Sequence, residues 1–262
     1  MTKQMMVVCA IVLYVLFRSI FIEPNALEVK KYQIQDRTLA GVRVVFASDF
    51  HLNKKDYKKL DKIVSLINRQ NPDITLLGGD FIKGHDKNKA MNLEILSSKL
   101  DLIISPVFLV AGEHDNWVWG NEFPETFKHH RIKFLSNSNL RTIIKGKYID
   151  VIGLADLKTQ EIDLVKAYYK TALPRLTITH NPDIYYDIMD DTSLIFAGHT
   201  HGSQFIFPMT PPLFTDSKFG AEFAFGLIKS TSNKMIITKG IGTKSFPFRF
   251  NCKPEIVVVD FI

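Results

Sequence analysis

The chain has 262 residues, of which 46% are hydrophobic, and its formal net charge is +6. This length supports one sizeable α/β core or two small domains, and one domain with an N-terminal appendage is the simpler interpretation. Its two cysteines, Cys9 and Cys252, exclude a disulfide framework and lack CxxC spacing. The positive charge favours anionic partners such as phosphates, nucleic acid or acidic lipids, without selecting among them.

An apolar run covers residues 5–22 and is interrupted only by Arg18 and Ser19. As a helix, its roughly 18 residues would span about 27 Å, which is close to the hydrocarbon thickness of a membrane. We therefore expect residues 1–25 to form an uncleaved transmembrane or signal-anchor helix. A cleaved signal peptide and a buried or interfacial helix are the alternatives, although no small-x-small cleavage site follows the run.

Basic residues flank this run unequally. Lys3 and the terminal amine precede the run, and the basic residues that follow it closely are Arg18, Lys30, Lys31 and Arg37. For a single-pass N-terminal anchor, the positive-inside rule therefore predicts that the following domain lies on the cytoplasmic side.

The rest of the chain has the alternation typical of an α/β domain. We expect residues 26–40 to be an extended polar connector and residues 41–262 to form one domain. A strand, helix, strand order implies right-handed crossovers. Strands are predicted at 42–47, 74–77, 106–110, 141–145, 149–154, 176–179, 194–197, 235–238 and 256–261, and helices at 57–69 and 93–104.

Polar motifs follow several of these strands directly. Ligands in open α/β sheets bind outside the carboxyl ends of strands, so the motifs after the first three strands are expected to converge on one crevice. In chain order the motifs are Asp49-Phe50-His51, Gly79-Asp80, Gly112-Glu113-His114-Asp115, His180 and Gly198-His199-Thr200-His201.

The first two motifs contain residues suited to a pair of divalent metals. Asp49 and His51 are two residues apart, so both side chains can turn onto one ion at the end of a strand. Asp80 follows two glycines, which leave its carboxylate free to bridge two ions. Carboxylate and imidazole together suit Mn, Fe or Zn better than Ca or Mg.

Three later histidines extend this ligand set. His199 and His201 flank one threonine, so a turn there can direct the two rings to different ions. His180 precedes an Asn-Pro pair at which the chain must turn. Each motif alone is commonly structural, but their order and their positions after strands favour a shared metal site. By contrast, the histidines interpreted as solvated surface residues are His85, His129 and His130.

This order of motifs resembles the calcineurin-like metallophosphoesterase superfamily over residues 41–262. The C-terminal part is similar to the membrane-anchored branch that contains YkuE, YaeI and the UDP-2,3-diacylglucosamine pyrophosphatases. The resemblance implies an α/β fold, a four-layer α-β-β-α sandwich, with metals at the carboxyl ends of the central strands. The motifs that carry the second likeness are Gly198-His199-Thr200-His201-Gly202-Ser203-Gln204, Pro211-Pro212-Leu213, Lys239-Gly240-Ile241-Gly242-Thr243 and Pro254-Glu255-Ile256.

The resemblance also implies two divalent cofactor ions, Mn or else Fe or Zn, and a role for each motif residue. Two such ions about 3.5–4 Å apart lower the pKa of a bridging water and give hydroxide for in-line attack. His114 would be the general acid or the charge partner of the transition state, held by Asp115. The implied metal ligands are Asp49, His51 and His201 for one ion, Glu113, His180 and His199 for the other, and Asp80 as the bridge.

Glu113 departs from the family pattern, which has asparagine at this position. A glutamate offers a longer, anionic carboxylate in place of a neutral carbonyl oxygen. One hypothesis is that Glu113 remains a ligand, binds its metal more tightly and makes the site less electrophilic. The alternative is that the extra methylene misplaces the carboxylate and weakens or empties the second metal site.

Aromatic and basic residues near the motifs bear on the substrate. Trp117 and Trp119 can form an apolar wall or a membrane contact, and a loop cover is expected around the later phenylalanines, with core packing as the alternative. A lysine-rich helix face can meet anionic head groups, although a solvated face is the alternative. These residues are Phe205, Phe207, Phe214, Phe219, Phe223 and Phe225, and Lys54, Lys55, Lys58, Lys59 and Lys62.

The predicted function is that of an enzyme, a metal-dependent hydrolase of a phosphodiester or pyrophosphate bond. The most specific candidate substrate is UDP-2,3-diacylglucosamine of lipid A biosynthesis, and the expected partners are a phosphorylated, lipid-linked substrate and the membrane, with no nucleic acid. The alternatives are a generic phosphodiesterase or phosphatase acting on a nucleotide or another ester, and a non-catalytic metal-binding scaffold.

Overall fold

The computed structural model describes residues 2–188, 192–230, 233–244 and 246–262. The helices in this part of the chain are α1 (Lys3–Phe17), α2 (Tyr57–Arg69), α3 (Leu93–Leu100), α4 (Glu113–Trp119), α5 (Glu122–Phe127) and α6 (Leu164–Ala167). The strands are β1 (Glu28–Ile34), β2 (Arg43–Ala47), β3 (Ile74–Leu77), β4 (Val107–Leu109), β5 (Lys133–Phe134), β6 (Ser138–Ile144), β7 (Lys147–Gly153), β8 (Arg175–Ile178), β9 (Leu194–Ala197), β10 (Gly226–Lys229), β11 (Lys234–Ile237) and β12 (Glu255–Phe261).

Two mixed β-sheets form the centre of the domain. Their strand orders are β1-β12-β2-β3-β4-β5 and β10-β11-β9-β8-β7-β6. In the first sheet β2, β3, β4 and β5 are parallel, and in the second sheet β7, β8, β9 and β11 are parallel. The carboxyl ends of β2, β3 and β4 therefore lie along one edge of the first sheet, and those of β8 and β9 lie along one edge of the second.

The pleat of β2 shows how the layers are built. Val44 and Phe46 belong to the apolar core that includes side chains from both sheets, whereas Val45 and Ala47 belong to the core shared with the helices. Successive side chains of a strand point to opposite faces, so a strand between two cores is apolar throughout. The continuous hydrophobic run at 43–47 thus follows from burial on both faces.

Helices cover the outer face of each sheet. The apolar stripe of α2, which includes Leu60, Ile63 and Ile67, packs on the first sheet together with α3 and α5. Short helical segments cover the second sheet, where Tyr185 and Phe223 are buried in its outer core. These layers form the predicted four-layer α-β-β-α sandwich, and the fold class is confirmed.

Two of the differences from the predicted elements concern the connector and the second predicted helix. The expected connector at 26–40 contributes β1, which pairs in parallel with the C-terminal strand β12. Its exposed residues Lys30 and Lys31 concealed the strand, because an edge strand buries only part of its surface. The helix predicted at 93–104 ends at Leu100, where the chain turns through Asp101 and Leu102.

The N-terminal helical segment Lys3–Asn25 is long and apolar enough to cross a membrane. Its C-terminal end, unlike the rest, is held against the domain. Ser19 O accepts a hydrogen bond from the backbone N–H of Arg249, and the Glu23 carboxylate accepts one from the N–H of Cys252. Arg18 lies 3.4 Å from the second oxygen of Glu23, which is 1% exposed. The helix is thus joined to the loop before β12 by defined contacts.

Candidate metal centre

The strand-end motifs of both sheets meet in one place. Residues after β2, β3 and β4 come from the first sheet, and residues after β8 and β9 come from the second. Their carboxylate oxygens and imidazole nitrogens form overlapping groups, in each of which the ligand atoms lie within 4.8 Å of one another. The groups are Asp49, His51 and His201; Glu113, His180 and His199; Asp49, Asp80 and His180; and His51, Asp80 and His114.

The first group places three donor atoms around one point. His51 Nε2 lies 2.9 Å from His201 Nε2, and His201 Nε2 lies 3.4 Å from Asp49 Oδ1. Burial lowers the pKa of His51 to about 3 and lowers the pKa of His201 well below its ordinary value. Both rings are therefore neutral at pH 7, with nitrogen lone pairs available to a cation.

The second group is centred on Glu113. Its Oε2 lies 3.0 Å from both His180 Nε2 and His199 Nδ1. Burial opposes the charge on His180, but the Asp80 and Glu113 carboxylates raise the pKa of this ring well above its ordinary value. A buried position that favours a proton so strongly also favours a metal cation, which would replace the proton between these side chains.

Asp80 lies between the two groups. Its Oδ2 is 3.5 Å from both His51 Nε2 and His180 Nε2, whereas its Oδ1 accepts a hydrogen bond from the backbone N–H of His114. Burial would raise the pKa of Asp80, but the neighbouring His180 lowers it to about 2. One oxygen is thus fixed by the backbone, and the other faces both groups, as a bridging carboxylate requires.

Backbone carbonyls and amides orient the candidate ligands. His180 Nδ1 lies 2.7 Å from Gly78 O, so it must donate its proton there, and Nε2 is left facing Asp80 and Glu113. Both oxygens of Asp49 accept from the N–H of His199, at 3.0 and 3.1 Å. Such outer contacts select the tautomer of a ligating histidine and restrict its rotation.

The backbone is strained at these positions. Five of the candidate ligands have positive φ angles, a left-handed conformation that costs non-glycine residues about 1–3 kcal/mol each. The N–H of Asp49 donates to Gly79 O, and the N–H of His51 donates to Asp80 O, so neighbouring loops hold these conformations. The angles are 56° for Asp49, 44° for His51, 53° for Asp80, 72° for His199 and 53° for His201.

Two glycines make the close approach of the motifs possible. A Cβ atom at Gly112 would lie 2.3 Å from Asp80 Oδ1, and one at Gly198 would lie 2.4 Å from Asp49 Oδ2. Any side chain at either position would displace a candidate metal ligand. The glycines that begin the two longer motifs are therefore explained by the packing of one motif on another.

The chemistry of the donor set fits two divalent ions. The site is buried, yet Glu113 Oε1, His199 Nε2 and His114 Nε2 have no hydrogen-bond partner among the described residues. Buried polar atoms are normally paired, and carboxylates and imidazoles that converge without hydrogen bonds are typical of ligands for Mn, Fe or Zn. The described residues thus form clusters of the dimetal-binding kind.

His114 stands beside the clusters, with its Nε2 3.9 Å from Asp80 Oδ2. The expectation that Asp115 holds this ring is wrong. His114 Nδ1 lies 2.9 Å from Gly84 O and must donate to it, whereas Asp115 accepts from the N–H groups of Phe81, Ile82 and Gly112. Asp115 stands in the first turn of α4, where its carboxylate satisfies the free N–H of Gly112, and its contacts with Phe81 and Ile82 tie the third motif to the loop of the second.

Sequence reasoning missed several residues at the site. His85 is exposed, as expected, but its ring lies 5.3 Å from that of His114 and 4.5 Å from that of Trp117. Lys158 and Lys244 place their ammonium groups 3.7 and 3.8 Å from Glu113 Oε1. These residues stand in loops without a motif, so only the folded chain brings them together. The single available signal was the position of His85 five residues after Asp80.

An apolar cavity of about 490 Å³ opens beside the clusters. The histidines of the last motif line one side of it, and five phenylalanines from two loops line much of the remainder. Phe205 and Phe248 meet edge to face with ring centroids 4.6 Å apart, and Phe214 is 73% exposed at the surface. The lining residues are His199, Thr200, His201, Ser203, Gln204, Phe205, Phe207, Phe214, Asp216, Lys244, Phe246 and Phe248.

The other predicted substrate-side residues have different surroundings. Phe223 is buried in the outer core and Phe219 packs against it, so this pair is a packing element. Trp117 lies beside His114 with ring centroids 5.1 Å apart, whereas Trp119 packs on the core of the first sheet. The first of the two tryptophans therefore borders the site, and the second does not.

Comparison with known proteins agrees with this geometry. Residues 42–203 match the family described as calcineurin-like phosphoesterase, and this chain belongs to that family. It is 26% identical over 252 residues to phosphodiesterase YaeI of Escherichia coli (strain K12), covering 92% of this chain and 91% of YaeI. The predicted family and the predicted class, a phosphoester hydrolase, are confirmed.

Two further comparisons concern a relative in sequence and a similar solved structure. The chain is 26% identical over 304 residues to UDP-2,3-diacylglucosamine pyrophosphatase LpxG of Chlamydia muridarum (strain MoPn / Nigg), covering 91% of this chain and 90% of LpxG. The 5'-nucleotidase precursor of Thermus thermophilus superposes with a TM-score of 0.50 at 12% identity, covering 76% of this chain and 48% of that one. The last likeness concerns the fold alone.

Proposed function

We propose that this chain is a membrane-anchored dimetal hydrolase that cleaves a pyrophosphate or phosphodiester bond in a substrate with an apolar part. The observation that supports it best is the aromatic cavity, which shares His199 and His201 with the candidate metal clusters. A phosphate held at the clusters would leave an attached acyl chain beside this cavity. Burial of the chain there would stabilise the complex by about 25 cal/mol for each Å² of apolar surface removed from water.

Seven residues would hold the two ions, with Mn as the preferred metal. When bound, the ions supply a Lewis acid and a hydroxide from water near neutral pH. Glu113 serves as a ligand of the second ion, because its Oε2 lies 3.0 Å from both histidines of that group. The proposed ligands are Asp49, His51 and His201, then Glu113, His180 and His199, with Asp80 between them.

His114 is the proposed general acid. Gly84 O accepts its Nδ1 proton, so Nε2 is the nitrogen that can hold a proton for the departing oxygen. Its ring is 7% exposed, and Trp117 and His85 shield its outer side. Asp115 is a positioning residue, since its hydrogen bonds fix the backbone of the loop after β3 and the start of α4.

The segment Lys3–Asn25 is the proposed anchor, with residues 41–262, extended by β1, as the catalytic domain on the cytoplasmic side. UDP-2,3-diacylglucosamine of lipid A synthesis is the specific substrate candidate. It combines two phosphates with acyl chains, and LpxG, to which the chain is similar over 91% of its length, carries that substrate in its name.

The test is hydrolysis by the purified full chain in detergent with Mn²⁺. The substrates are UDP-2,3-diacylglucosamine and bis(4-nitrophenyl) phosphate, which lacks an acyl chain. We expect faster turnover of the acylated substrate, and His114→Ala is expected to lower kcat by about 10²–10⁴-fold. His129→Ala, an exposed histidine, serves as the matched control. Hydrolysis of neither substrate by protein that contains two metal ions would overturn the proposal.

A further inference from the structure

Three charged side chains form a cluster at the edge of the candidate metal centre: Lys158, Asp216 and Lys244. Lys158 Nζ lies 3.1 Å from Asp216 Oδ2, and Lys244 Nζ contacts the same oxygen. That oxygen is 3.7 Å from His199 Nε2, the ring nitrogen directed away from Glu113. One carboxylate oxygen is therefore shared by two ammonium groups next to a candidate metal ligand.

The three residues come from separate loops and remain accessible. Lys158 follows β7, Asp216 stands between β9 and β10, and Lys244 stands between β11 and β12. Their side chains are 34%, 50% and 29% exposed. Asp216 and Lys244 also line the aromatic cavity. A ligand that enters from the cavity thus reaches this cluster and the metal ligands together.

Neutralisation of Glu113 does not fully account for the two lysines. Each ammonium lies 3.7–3.8 Å from Glu113 Oε1, which is beyond hydrogen-bond distance, and each contacts Asp216 more closely. The Asp216 carboxylate thus stands between the two ammonium groups and contacts both of them. Two ammonium groups are therefore arranged around one carboxylate that is half exposed.

We propose that Lys158 and Lys244 bind the second, non-scissile phosphate of a diphosphate-containing substrate. Asp216 contacts their ammonium groups until that phosphate replaces its carboxylate. Each phosphate of a doubly substituted diphosphate carries one negative charge and two non-bridging oxygens, so it can accept from both ammonium groups at once, and lysine binds it as a point charge. The inference rests on the proposed function and narrows its substrate class to compounds with two linked phosphates.

The experiment measures binding by calorimetry to the full chain loaded with Mn²⁺, and hydrolysis is not needed. The probes are α,β-methylene-ADP, which has two linked phosphates, and AMP, which has one. Wild-type protein is expected to bind the diphosphate more tightly. Lys158→Met and Lys244→Met are each expected to weaken diphosphate binding by about tenfold, the lower range for a charged hydrogen bond, and AMP binding by less than about threefold. Lys128→Met removes an exposed lysine that also pairs with a carboxylate and serves as control.

A second variant tests the role of Asp216. Asp216→Asn removes the competing charge while preserving shape, so it is expected to tighten diphosphate binding by about threefold. Equal losses for both probes in the lysine variants, or weaker diphosphate binding in Asp216→Asn, would overturn the inference and leave the lysines as counter-ions. Failure to hydrolyse any ester would contradict the proposed function instead, because the binding result stands apart from turnover.

Discussion

Glu113 is the residue at which this chain departs from the pattern of the family that it resembles. The carboxylate reaches both histidines of the second cluster through Oε2, and its Oε1 faces two lysines. Two nearby ammonium groups offset the negative charge that a glutamate adds relative to an asparagine. These contacts favour the hypothesis that Glu113 remains a ligand, with the two lysines offsetting its charge. They do not favour the alternative that the second metal site is weak or empty.

Replacement of Glu113 by asparagine tests this interpretation. The shorter, neutral side chain loses one anionic donor, so we expect affinity for the second metal to fall on the order of tenfold, since ligand charge tunes divalent binding. Metal content after dialysis, measured by elemental analysis together with the phosphodiesterase rate, provides the readout. Glu122→Gln, at an exposed glutamate paired with Lys87, is the control. Unchanged stoichiometry and rate in Glu113→Asn would show that Glu113 has no special role.

The candidate ligands were predictable from sequence because each follows a buried strand within a short motif. Lys158, Asp216 and Lys244 were not, because they stand in three loops and their proximity depends on the second sheet packing against the first. The actual partner of His114 was also beyond prediction. The backbone carbonyl of Gly84 accepts from the ring. Because every residue has a backbone carbonyl, the sequence does not indicate which one is the partner.

A buried carboxylate, that of Asp150, links the two strands of the β6–β7 hairpin. Asp150 accepts two hydrogen bonds from Arg141, at 2.7 and 2.8 Å, and another from the N–H of Ala172. Burial alone would raise the pKa of Asp150, but these donors hold it below its ordinary value. The pair therefore fixes the hairpin to the segment that leads into β8.

This contact predicts a pH-dependent stability difference. Because the folded-state pKa of Asp150 is below the unfolded value of about 3.9, its carboxylate stabilises the fold above about pH 4. The contribution is lost as the pH falls through the folded-state pKa. Asp150→Asn is expected to lower the thermal denaturation midpoint at pH 7, with a smaller difference at low pH. The exposed Asp187→Asn should show no difference at any pH, and a constant difference for Asp150→Asn would contradict the assignment.

Elements with a regular apolar pattern were predicted closely, and elements shaped by the site were not. The helix at 57–69 has its predicted bounds because its buried stripe recurs at helical spacing. Helix α4 was not predicted, because the buried residues of its first turn, Glu113, His114 and Asp115, are polar. The helix therefore lacks the apolar residues at helical spacing by which a helix is identified in a sequence. Strand β1 escaped prediction because its partner, β12, is more than two hundred residues away in the chain.

The contacts at the end of the N-terminal helical segment are expected to stabilise the fold. Glu23→Ala removes the buried acceptor of the Cys252 N–H, so we expect the full chain in detergent to lose about 1–3 kcal/mol of stability. Glu23→Gln keeps an acceptor and should lose less. Thermal denaturation of the three proteins provides the comparison, and identical midpoints for Glu23→Ala and wild type would show that the contact contributes nothing.

At the scale of the whole molecule, the aromatic cavity is assembled from the loop after β9 and the loop before β12. Phe205→Ala opens one wall of it, and a lost aromatic contact of this kind is worth about 1.5–3 kcal/mol. We expect kcat/KM for an acylated substrate to fall by about tenfold or more, while bis(4-nitrophenyl) phosphate is hydrolysed as before. Tyr169→Ala, at an exposed ring outside the cavity, is the control. Equal loss on both substrates would assign Phe205 to folding.

The contacts of Ser19 and Glu23 have a consequence for where the proposed enzyme can work. The loop that receives them contains Arg249, which is fully buried and donates to the carbonyls of Lys239, Gly240 and Gly242. Gly240 packs against Asp49, and Gly242 packs against His51. In the proposed enzyme, the domain is therefore joined to its anchor by these contacts, close to the end of the helix. Its reaction centre would stay at one height above the bilayer, and only phosphate groups at that depth would come within reach.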